Sequence, residues 1–223
     1  SAFLPEHARD PLREYEACHI PGAVFLDLAN LVDNAAPLAN TLPSPEKFAS
    51  RMQSLGLGDG SRIVIYDDSP IHSSTRAWFM LTLFGAHNVA LLDGGISKWK
   101  AEGRPCAQGR EHQRHRHYTV WSDDRMVRSK AQMLANLESK AEQVVDARGA
   151  GRFTGAVAET RPGLASGHIP GSRNLPYASL FAPDGTWKKP DALRAAFEAA
   201  GIDLDRPLVA TCGSGMTANV AIF

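Results

Sequence analysis

The positions of apolar and polar residues follow the same order twice along the chain. Each half contains a short apolar run bounded by turn residues, at 62–66 and at 207–211, and a helical pattern follows each run. Buried parallel strands have this length and these flanks. An amphipathic helix precedes each run, near 45–55 and near 190–200, and each helix begins at a proline and ends at a glycine. This alternation predicts an α/β fold with mostly parallel sheets flanked by helices.

A short motif marks the same duplication. The sequence His19-Ile20-Pro21-Gly22-Ala23 recurs as His168-Ile169-Pro170-Gly171-Ser172. The two copies are too far apart for a solenoid repeat, so the recurrence indicates duplication of a whole domain. We therefore expect a first domain over residues 1–107, a linker over 108–124 and a second domain over 125–223. The Pro, Gly and His content of the middle stretch favours a solvated polar linker over a metal site.

The two copies differ in which elements they contain. The second copy has an apolar strand at 143–147 that the first copy lacks. The first copy continues past its apolar run with a strand near 89–92 and the segment 93–99, whereas the second copy stops soon after its own run. The pattern predicts that segments are missing at both ends of the sequence and that the second domain is truncated.

Composition narrows the classes of partner. The 24 basic residues balance the 24 acidic residues, which gives no electrostatic reason to expect a nucleic acid or an anionic membrane as partner. No apolar run approaches the roughly 20 residues of a transmembrane helix, and no signal peptide is visible. The three cysteines, Cys18, Cys106 and Cys212, are few, odd in number and far apart. This usage predicts no disulfide framework, no cysteine zinc site and a reducing compartment, the cytoplasm.

The residue after the second apolar run is a cysteine in a glycine-containing loop. Cys212 is followed by Gly213-Ser214-Gly215-Met216-Thr217, and a helical pattern begins after the loop. Ligands of parallel sheets bind beyond the carboxyl ends of the strands. Glycines let the backbone approach a ligand closely, and a helix N-terminus stabilises an anion, so this setting lowers a thiol pKa and favours a nucleophile. The first copy has Asp67 at the corresponding point, so only the second domain can use a thiol there.

Two other interpretations of this cysteine are less favoured. Cysteine phosphatases have an arginine six positions after the cysteine, which clamps the phosphate, but Ala218 occupies that position here. An isolated cysteine at a strand end is usually a buried, inert residue. The glycine loop and the duplicated scaffold favour a nucleophile for Cys212, whereas Cys18 and Cys106 lack such a setting and are expected to be inert.

Taken together, the two HIPG motifs, the segment 93–99 and the loop after Cys212 resemble the tandem-domain sulfurtransferases, which comprise rhodanese and 3-mercaptopyruvate sulfurtransferase. The resemblance covers nearly the whole chain. It implies two rhodanese-like domains, a silent first domain and a catalytic second one that carries sulfur as a persulfide on Cys212, without a metal or an organic cofactor. The loop matches the CG(S/T)GVT pattern of the mercaptopyruvate enzymes except at Met216, and it lacks the basic residues that thiosulfate enzymes carry there.

The resemblance also implies which other side chains take part. Arg152 and Arg161 match the family's substrate-binding arginines, and an arginine fork is the expected partner of a carboxylate. Ser214, His19 and Asp10 match a serine, a histidine and an acid that are proposed to relay a proton. The remaining loop residues expected to line the substrate site are Gly213, Gly215, Met216 and Thr217.

Alternatives stay open at this point. His19 is explained equally well as a residue that fixes its turn, since His168 repeats it in the second copy. The chain could also be a thiosulfate sulfurtransferase, a protein sulfur carrier or a non-enzymatic interaction module. For the enzyme we expect a small sulfur donor and a thiol acceptor such as thioredoxin, with no nucleic-acid or membrane partner.

Overall fold

The computed structural model describes residues 9–159 and 164–223. The chain divides into two compact units, and the boundary falls between Asp124 and Arg125. The second domain expected from the sequence also begins at residue 125.

The first unit contains a pair of parallel strands together with helices. Within the described residues its elements are, in chain order, α1 (Pro11–Ala17), α2 (Pro45–Ser54), β1 (Ile63–Ile65), α3 (Ser74–Leu83), β2 (Val89–Leu91) and α4 (Gly95–Ala101). The strands β1 and β2 are parallel, with Ile63 opposite Val89 and Ile65 opposite Leu91.

The second unit contains a larger parallel sheet. Its described elements are α5 (Lys130–Ser139), β3 (Gln143–Asp146), α6 (Ala150–Thr154), β4 (Arg173–Asn174), a 3-10 helix (Tyr177–Leu180), α7 (Pro190–Ala199), β5 (Leu208–Thr211) and α8 (Ala218–Ile222). The strand order is β4-β3-β5, and both pairings are parallel. The α/β fold predicted for both halves is confirmed. No helix among the described residues is long and apolar enough to cross a membrane.

Local sequence signals explain where the helices begin. Pro45 and Pro190 each stand in the first turn of a helix, where a missing backbone N–H costs nothing. The Ser44 side chain accepts a hydrogen bond from the backbone of α2. At the start of α5, Ser129 and Gln132 form a reciprocal capping box, which satisfies two backbone N–H groups. The predicted helices near 45–55 and 190–200 are therefore confirmed.

Each unit has its own hydrophobic core. In the first unit, Phe48 of α2 packs against Phe84 after α3, with 4.5 Å between their ring centroids. In the second unit, Val145 of β3 is fully buried at the centre of a cluster. The other buried members of that cluster are Leu175, Leu180, Ile202, Val220 and Ala221. Burial of one such side chain contributes about 1.5–3 kcal/mol, so the strand β3 is firmly held within its unit.

The stretch 108–124, which the sequence predicts as a solvated linker, packs in part against the first unit. Tyr118 is 4% exposed, and its ring meets the edge of Phe48 at 5.8 Å. The backbone N–H and the hydroxyl of Thr119 each donate to the Asp59 carboxylate at 2.7 Å. The sequence signal for this contact was the cluster Tyr118, Val120 and Trp121 at the end of an otherwise polar segment.

The structure corrects the expectation that Cys18 and Cys106 are unpaired, inert thiols. The two residues form a disulfide, with 5.3 Å between their Cα atoms. They meet because His19 and Ala107 form an antiparallel bridge, with backbone hydrogen bonds of 3.0 and 2.8 Å. A separation of 88 residues carries no local signal for this contact, so counting cysteines could not find it.

A cleft of about 320 Å³ runs along β1 in the first unit. Residues 22–26 and residues 63–66 both line the cleft. Counted from the HIPG motifs, Val24 and Phe25 correspond to Arg173 and Asn174 of β4. Because β3 lies between β4 and β5 in the second unit, the cleft is the counterpart of the space that β3 fills there.

Candidate active site

The thiol of Cys212 lies at the carboxyl edge of the parallel sheet. Cys212 directly follows β5, is partly buried and is a free cysteine. The Ala147 N–H donates to the Thr211 carbonyl at 2.9 Å, so the ends of β3 and β5 are tied side by side. The structure therefore places the predicted nucleophile at the sheet edge where ligands of such folds bind.

A buried amide fixes the loop that follows Cys212. Gly215 has a φ of 68°, a left-handed conformation that favours glycine, and Met216 is buried. The Asn219 side chain, on the first turn of α8, donates to the carbonyls of Gly215 and Met216 at 2.7 and 2.8 Å. With Asn219 only 4% exposed, these bonds hold the loop from behind. Asn219 was not predicted as a site residue; its signal in the sequence was a polar side chain in an apolar helix.

The glycine at position 213 leaves room for an arginine side chain beside the loop. A Cβ atom on Gly213 would lie 2.6 Å from Nη2 of Arg152, far inside normal contact distance. Arg152 belongs to α6, the short helix after β3, and its side chain is 35% exposed. The structure thus brings together Cys212, its loop and one of the two predicted substrate-binding arginines.

Arg152 is held by a buried carboxylate. Its Nε donates to Glu159 Oε1 at 3.0 Å, and its Nη2 donates to Oε1 and Oε2 at 2.8 and 2.7 Å. The side chain of Glu159 is 4% exposed. The hydrogen bonds from Arg152 lower the pKa of Glu159 below its ordinary value, and Arg148 adds to this shift while burial opposes it. Glu159 was not among the residues selected from the sequence.

A second arginine extends this group of charges toward β3. Arg148 donates to Glu159 at 2.9 Å and to the Asp146 carboxylate at 2.6 Å. It also donates to the Gly167 carbonyl at 2.7 Å. The hydrogen bonds with Asp146 are the main cause of the raised pKa of Arg148. Two arginines and two carboxylates thus alternate, and Arg152 is the more exposed of the arginines, 35% against 11%.

Arg161, the other predicted substrate-binding arginine, lies outside the described residues. Ser214 is partly buried in the loop between Gly213 and Gly215. Thr217 precedes α8 and makes no side-chain cap there. Nothing in these positions tests the roles expected for the three residues, which stay predictions.

His19 is fixed by contacts within the first unit. Its Nδ1 lies 2.9 Å from the Tyr15 carbonyl oxygen, and its ring stacks on Tyr15 with 4.2 Å between centroids. His19 is 1% exposed, and its Nε2 lies 3.7 Å from a Glu111 carboxylate oxygen, too far for a hydrogen bond. In the same way, Nδ1 of His168 lies 2.7 Å from the Phe153 carbonyl oxygen, and the His168 ring stacks on Phe153 with 3.8 Å between centroids. The shared geometry supports a turn-fixing role, and the relay role stays a prediction.

Asp10 caps a helix. Its carboxylate accepts hydrogen bonds from the backbone N–H groups of Leu12 and Arg13, each at 3.1 Å, at the start of α1. Removal of such a cap typically costs about 1 kcal/mol. This contact gives Asp10 a structural role, and its expected part in a proton relay stays a prediction. Within the described residues, no group of three His, Cys, Asp or Glu side chains is placed to hold a metal ion.

Comparisons with known proteins place these features in a family. The Rhodanese-like domain profile matches residues 8–102 and 129–222. The 3-mercaptopyruvate sulfurtransferase of Mus musculus is 41% identical over 98% of this chain and 74% of its own length. The protein of the same name from Escherichia coli K12 is 39% identical over 96% of this chain and 76% of its own length. The thiosulfate sulfurtransferase of Bos taurus is 38% identical over 94% of this chain and 72% of its own length.

Solved structures give the same picture. The crystal structure of SseA from Escherichia coli, which has the rhodanese fold and belongs to the 3-mercaptopyruvate sulfotransferases, superposes with a TM-score of 0.89 at 35% identity. The match covers 98% of this chain and 82% of the SseA chain. The Tum1 protein of Saccharomyces cerevisiae superposes with a TM-score of 0.88 at 25% identity, over 99% of this chain and 78% of its own.

Proposed function

The chain belongs to the rhodanese family, with two rhodanese-like domains, and from this we propose that it transfers sulfur from 3-mercaptopyruvate to a thiol acceptor through a persulfide on Cys212. Identity of 39–41% to proteins named 3-mercaptopyruvate sulfurtransferase, over nearly the whole chain, carries this proposal. The free thiol at the carboxyl end of β5 supplies the nucleophile.

The first step forms the persulfide. The Cys212 thiolate attacks the sulfur of 3-mercaptopyruvate, a sulfur–sulfur bond forms, and the carbon–sulfur bond breaks. The electron pair of that bond leaves with the carbon fragment as the enolate of pyruvate, and one proton converts the enolate to pyruvate. The cysteine keeps the outer sulfur as Cys–S–SH, so no metal or redox cofactor is required.

Arg152 binds the substrate carboxylate in this scheme. Its guanidinium lies against Gly213, the neighbour of the reacting cysteine, and part of it is exposed. An arginine at this point also stabilises the negative charge that develops on the departing enolate. Arg161 is the expected second arm of the fork, by its position in the sequence motif.

Ser214 is the proposed proton donor for the enolate, with His19 and Asp10 completing the relay by resemblance to the family. The contacts of His19 and Asp10 within the first unit also support purely structural roles. Substitution of His19 by Asn, which keeps a side chain able to bond the Tyr15 carbonyl, separates these roles. A relay predicts loss of turnover at unchanged stability, and a turn residue predicts loss of stability.

The second step returns the cysteine to its starting state. An acceptor thiolate attacks the outer sulfur, the persulfide bond breaks, and Cys212 leaves as a thiolate. Thioredoxin or a small thiol is the acceptor that we propose, and cyanide, which yields thiocyanate, replaces it in an assay. We also propose a cytoplasmic location, because this step needs the reduced thiols that such a compartment maintains; the Cys18–Cys106 disulfide, of a kind that is rare in reducing compartments, is the observation that counts against it.

Thiosulfate is the second candidate donor, because the bovine thiosulfate sulfurtransferase is 38% identical to the chain. Thiosulfate is a dianion and is best matched by cations beside the thiol. Gly213 and Ser214 supply none, and Arg152 already pairs with Glu159. The loop therefore favours the monocarboxylate 3-mercaptopyruvate.

Donor kinetics on the full-length protein test the proposal. Pyruvate release from 3-mercaptopyruvate is measured beside thiocyanate formation from thiosulfate and cyanide, and mass spectrometry checks Cys212 for one added sulfur atom. We expect the higher kcat/KM with 3-mercaptopyruvate and a persulfide on Cys212 alone. Preference for thiosulfate would replace the donor but keep the nucleophile, whereas a stoichiometric persulfide without turnover would indicate a sulfur carrier.

A further inference from the structure

The group that holds Arg152 is itself held rigidly. Glu159 receives three hydrogen bonds from Arg152, so that the Nε and Nη2 edge of the guanidinium is occupied. The same carboxylate receives a hydrogen bond from Arg148, which Asp146 anchors at the end of β3. Glu159 therefore cannot follow Arg152 toward solvent. The chain of contacts fixes Arg152 relative to the sheet that carries Cys212.

This arrangement leaves one part of Arg152 for a ligand. No hydrogen bond from its Nη1 occurs within the described residues, and its side chain is 35% exposed. Ordering a free arginine side chain costs up to about 2 kcal/mol of conformational entropy. An arginine that is already held binds its ligand without that cost, which is the general advantage of preorganisation.

The charges within the group cancel. Asp146 and Glu159 together balance Arg148 and Arg152, so the four side chains carry no net charge. All four are largely buried except Arg152. Among the described residues, the group therefore presents one partly exposed guanidinium, which can pair with a carboxylate.

Resting on the function proposed above, we propose that Glu159 is the positioning residue that orients Arg152 for the donor's carboxylate. It acts through Arg152 and does not touch the donor. Removal of its charge would release Arg152 and leave the group with an excess positive charge. Release of Arg152 weakens binding of the carboxylate, which 3-mercaptopyruvate has and thiosulfate lacks.

The substitution Glu159→Gln tests this role. A charge-assisted hydrogen bond contributes about 1.5–3 kcal/mol, so we expect kcat/KM for 3-mercaptopyruvate to fall roughly tenfold or more, mainly through KM. The value for thiosulfate should stay constant or rise, and the ratio of the two donors is the decisive measurement. Glu159→Asp keeps the charge but shortens the reach, so it should lower mercaptopyruvate activity without raising thiosulfate activity.

Glu142→Gln is the matched control. Glu142 accepts two hydrogen bonds from Arg128 at 2.8 and 2.5 Å, and it precedes the amino end of β3, away from the edge that carries Cys212. Its loss should lower stability but leave the donor ratio unchanged. Circular dichroism of each variant establishes that the fold is retained.

A double-mutant cycle removes the remaining ambiguity. If Glu159 acts through Arg152, then Glu159→Gln should add no further loss of mercaptopyruvate activity in an Arg152→Ala background. Additive losses, or an unchanged donor ratio in Glu159→Gln with normal wild-type turnover, would overturn the role of Glu159 alone. Absence of turnover with both donors in the wild-type protein would overturn the proposed function, and the role of Glu159 with it.

Discussion

The two units place different groups at the same point of the same scaffold. In the first unit, Asp67 follows β1, and its carboxylate accepts hydrogen bonds from the Ser73 hydroxyl at 3.0 Å and the Ser74 N–H at 2.9 Å. In the second unit, Cys212 follows β5, and within the described residues its sulfur makes no hydrogen bond. The carboxylate thus serves the start of its own helix, whereas the thiol stays available for reaction.

Features that both units share favour a structural role, and features of one unit alone favour a role in function. The HIPG histidines, His19 and His168, make the same stacking and carbonyl contacts in the two units. The group formed by Arg148, Arg152 and Glu159 belongs to the second unit alone, beside the cysteine loop. A duplicated protein therefore contains an internal control, because a residue of one unit can be compared with its counterpart in the other unit.

The largest effect is expected at the two strand ends themselves. Cys212→Ser should abolish pyruvate release, because a serine hydroxyl cannot form the persulfide. Asp67→Asn changes the corresponding residue of the first unit and should keep most of the activity, with a loss of stability at the start of α3. Activity assays beside thermal unfolding check both variants. Equal loss of activity in the two would show that the comparison reports folding and not chemistry.

A smaller but still large effect is expected from Gly213→Ala. The new Cβ would meet Arg152 Nη2 at 2.6 Å and displace a guanidinium that three hydrogen bonds hold in place. We expect KM for 3-mercaptopyruvate to rise roughly tenfold, as for the loss of one charge-assisted contact. Gly149→Ala is the control, since Gly149 has a φ of −59° and open space at its Cβ position. Steady-state kinetics should separate the two alanine variants.

Two buried asparagines distinguish support of the loop from support of the fold. Asn219→Ala removes two hydrogen bonds to the carbonyls behind Cys212, and it should cost about 1–3 kcal/mol of stability and lower kcat several-fold. Asn136→Ala removes a comparable pair of bonds to the backbone of Glu142, each 2.9 Å long, at the end of α5. It should lower stability to a similar extent at unchanged kcat. Chemical denaturation and turnover measured on the same samples provide the check.

The smallest expected effect is a decrease in the free energy of unfolding at acid pH. The pKa of Glu159 is lowered in the folded protein, so its contribution to stability is present above the pKa of the unfolded chain, about 4.5, and is lost as the pH falls through the lower folded value. The free energy of unfolding of the wild-type protein should therefore decrease more steeply below that pH than the value for Glu159→Gln. Parallel curves in urea titrations across this range would contradict the assignment.

Regular elements were well predicted from the sequence because their signals are local. The prolines that begin α2 and α7 and the short apolar runs of β1 and β5 mark both copies, and the structure has these elements at the expected positions. The position of Cys212 at a strand end followed from that order. Hydrophobic periodicity and the residues that begin or end an element were sufficient there, because each of these signals lies within a few residues of the element that it predicts.

Features that depend on side-chain contacts formed only in the folded chain were not predicted. Glu159 stands in a loop without regular structure, and its importance comes from Arg148 and Arg152, which only the fold brings around it. The same is true of the Cys18–Cys106 pair, which the bridge between His19 and Ala107 brings together. A sequence motif identifies the reacting group, but side chains that orient it are found from the three-dimensional contacts.

The cleft beside β1 has a consequence for the search for inhibitors. Its lining includes apolar side chains such as Leu26, Leu81 and Ile96, and a cleft with such a lining can bind small molecules. Yet it belongs to the unit whose strand end carries Asp67. A screen that ranks compounds by affinity alone would select molecules for this cleft and report them as hits. Compounds intended to block sulfur transfer should instead be ranked by protection of Cys212 from alkylation, a measurement that reports directly on the reacting thiol.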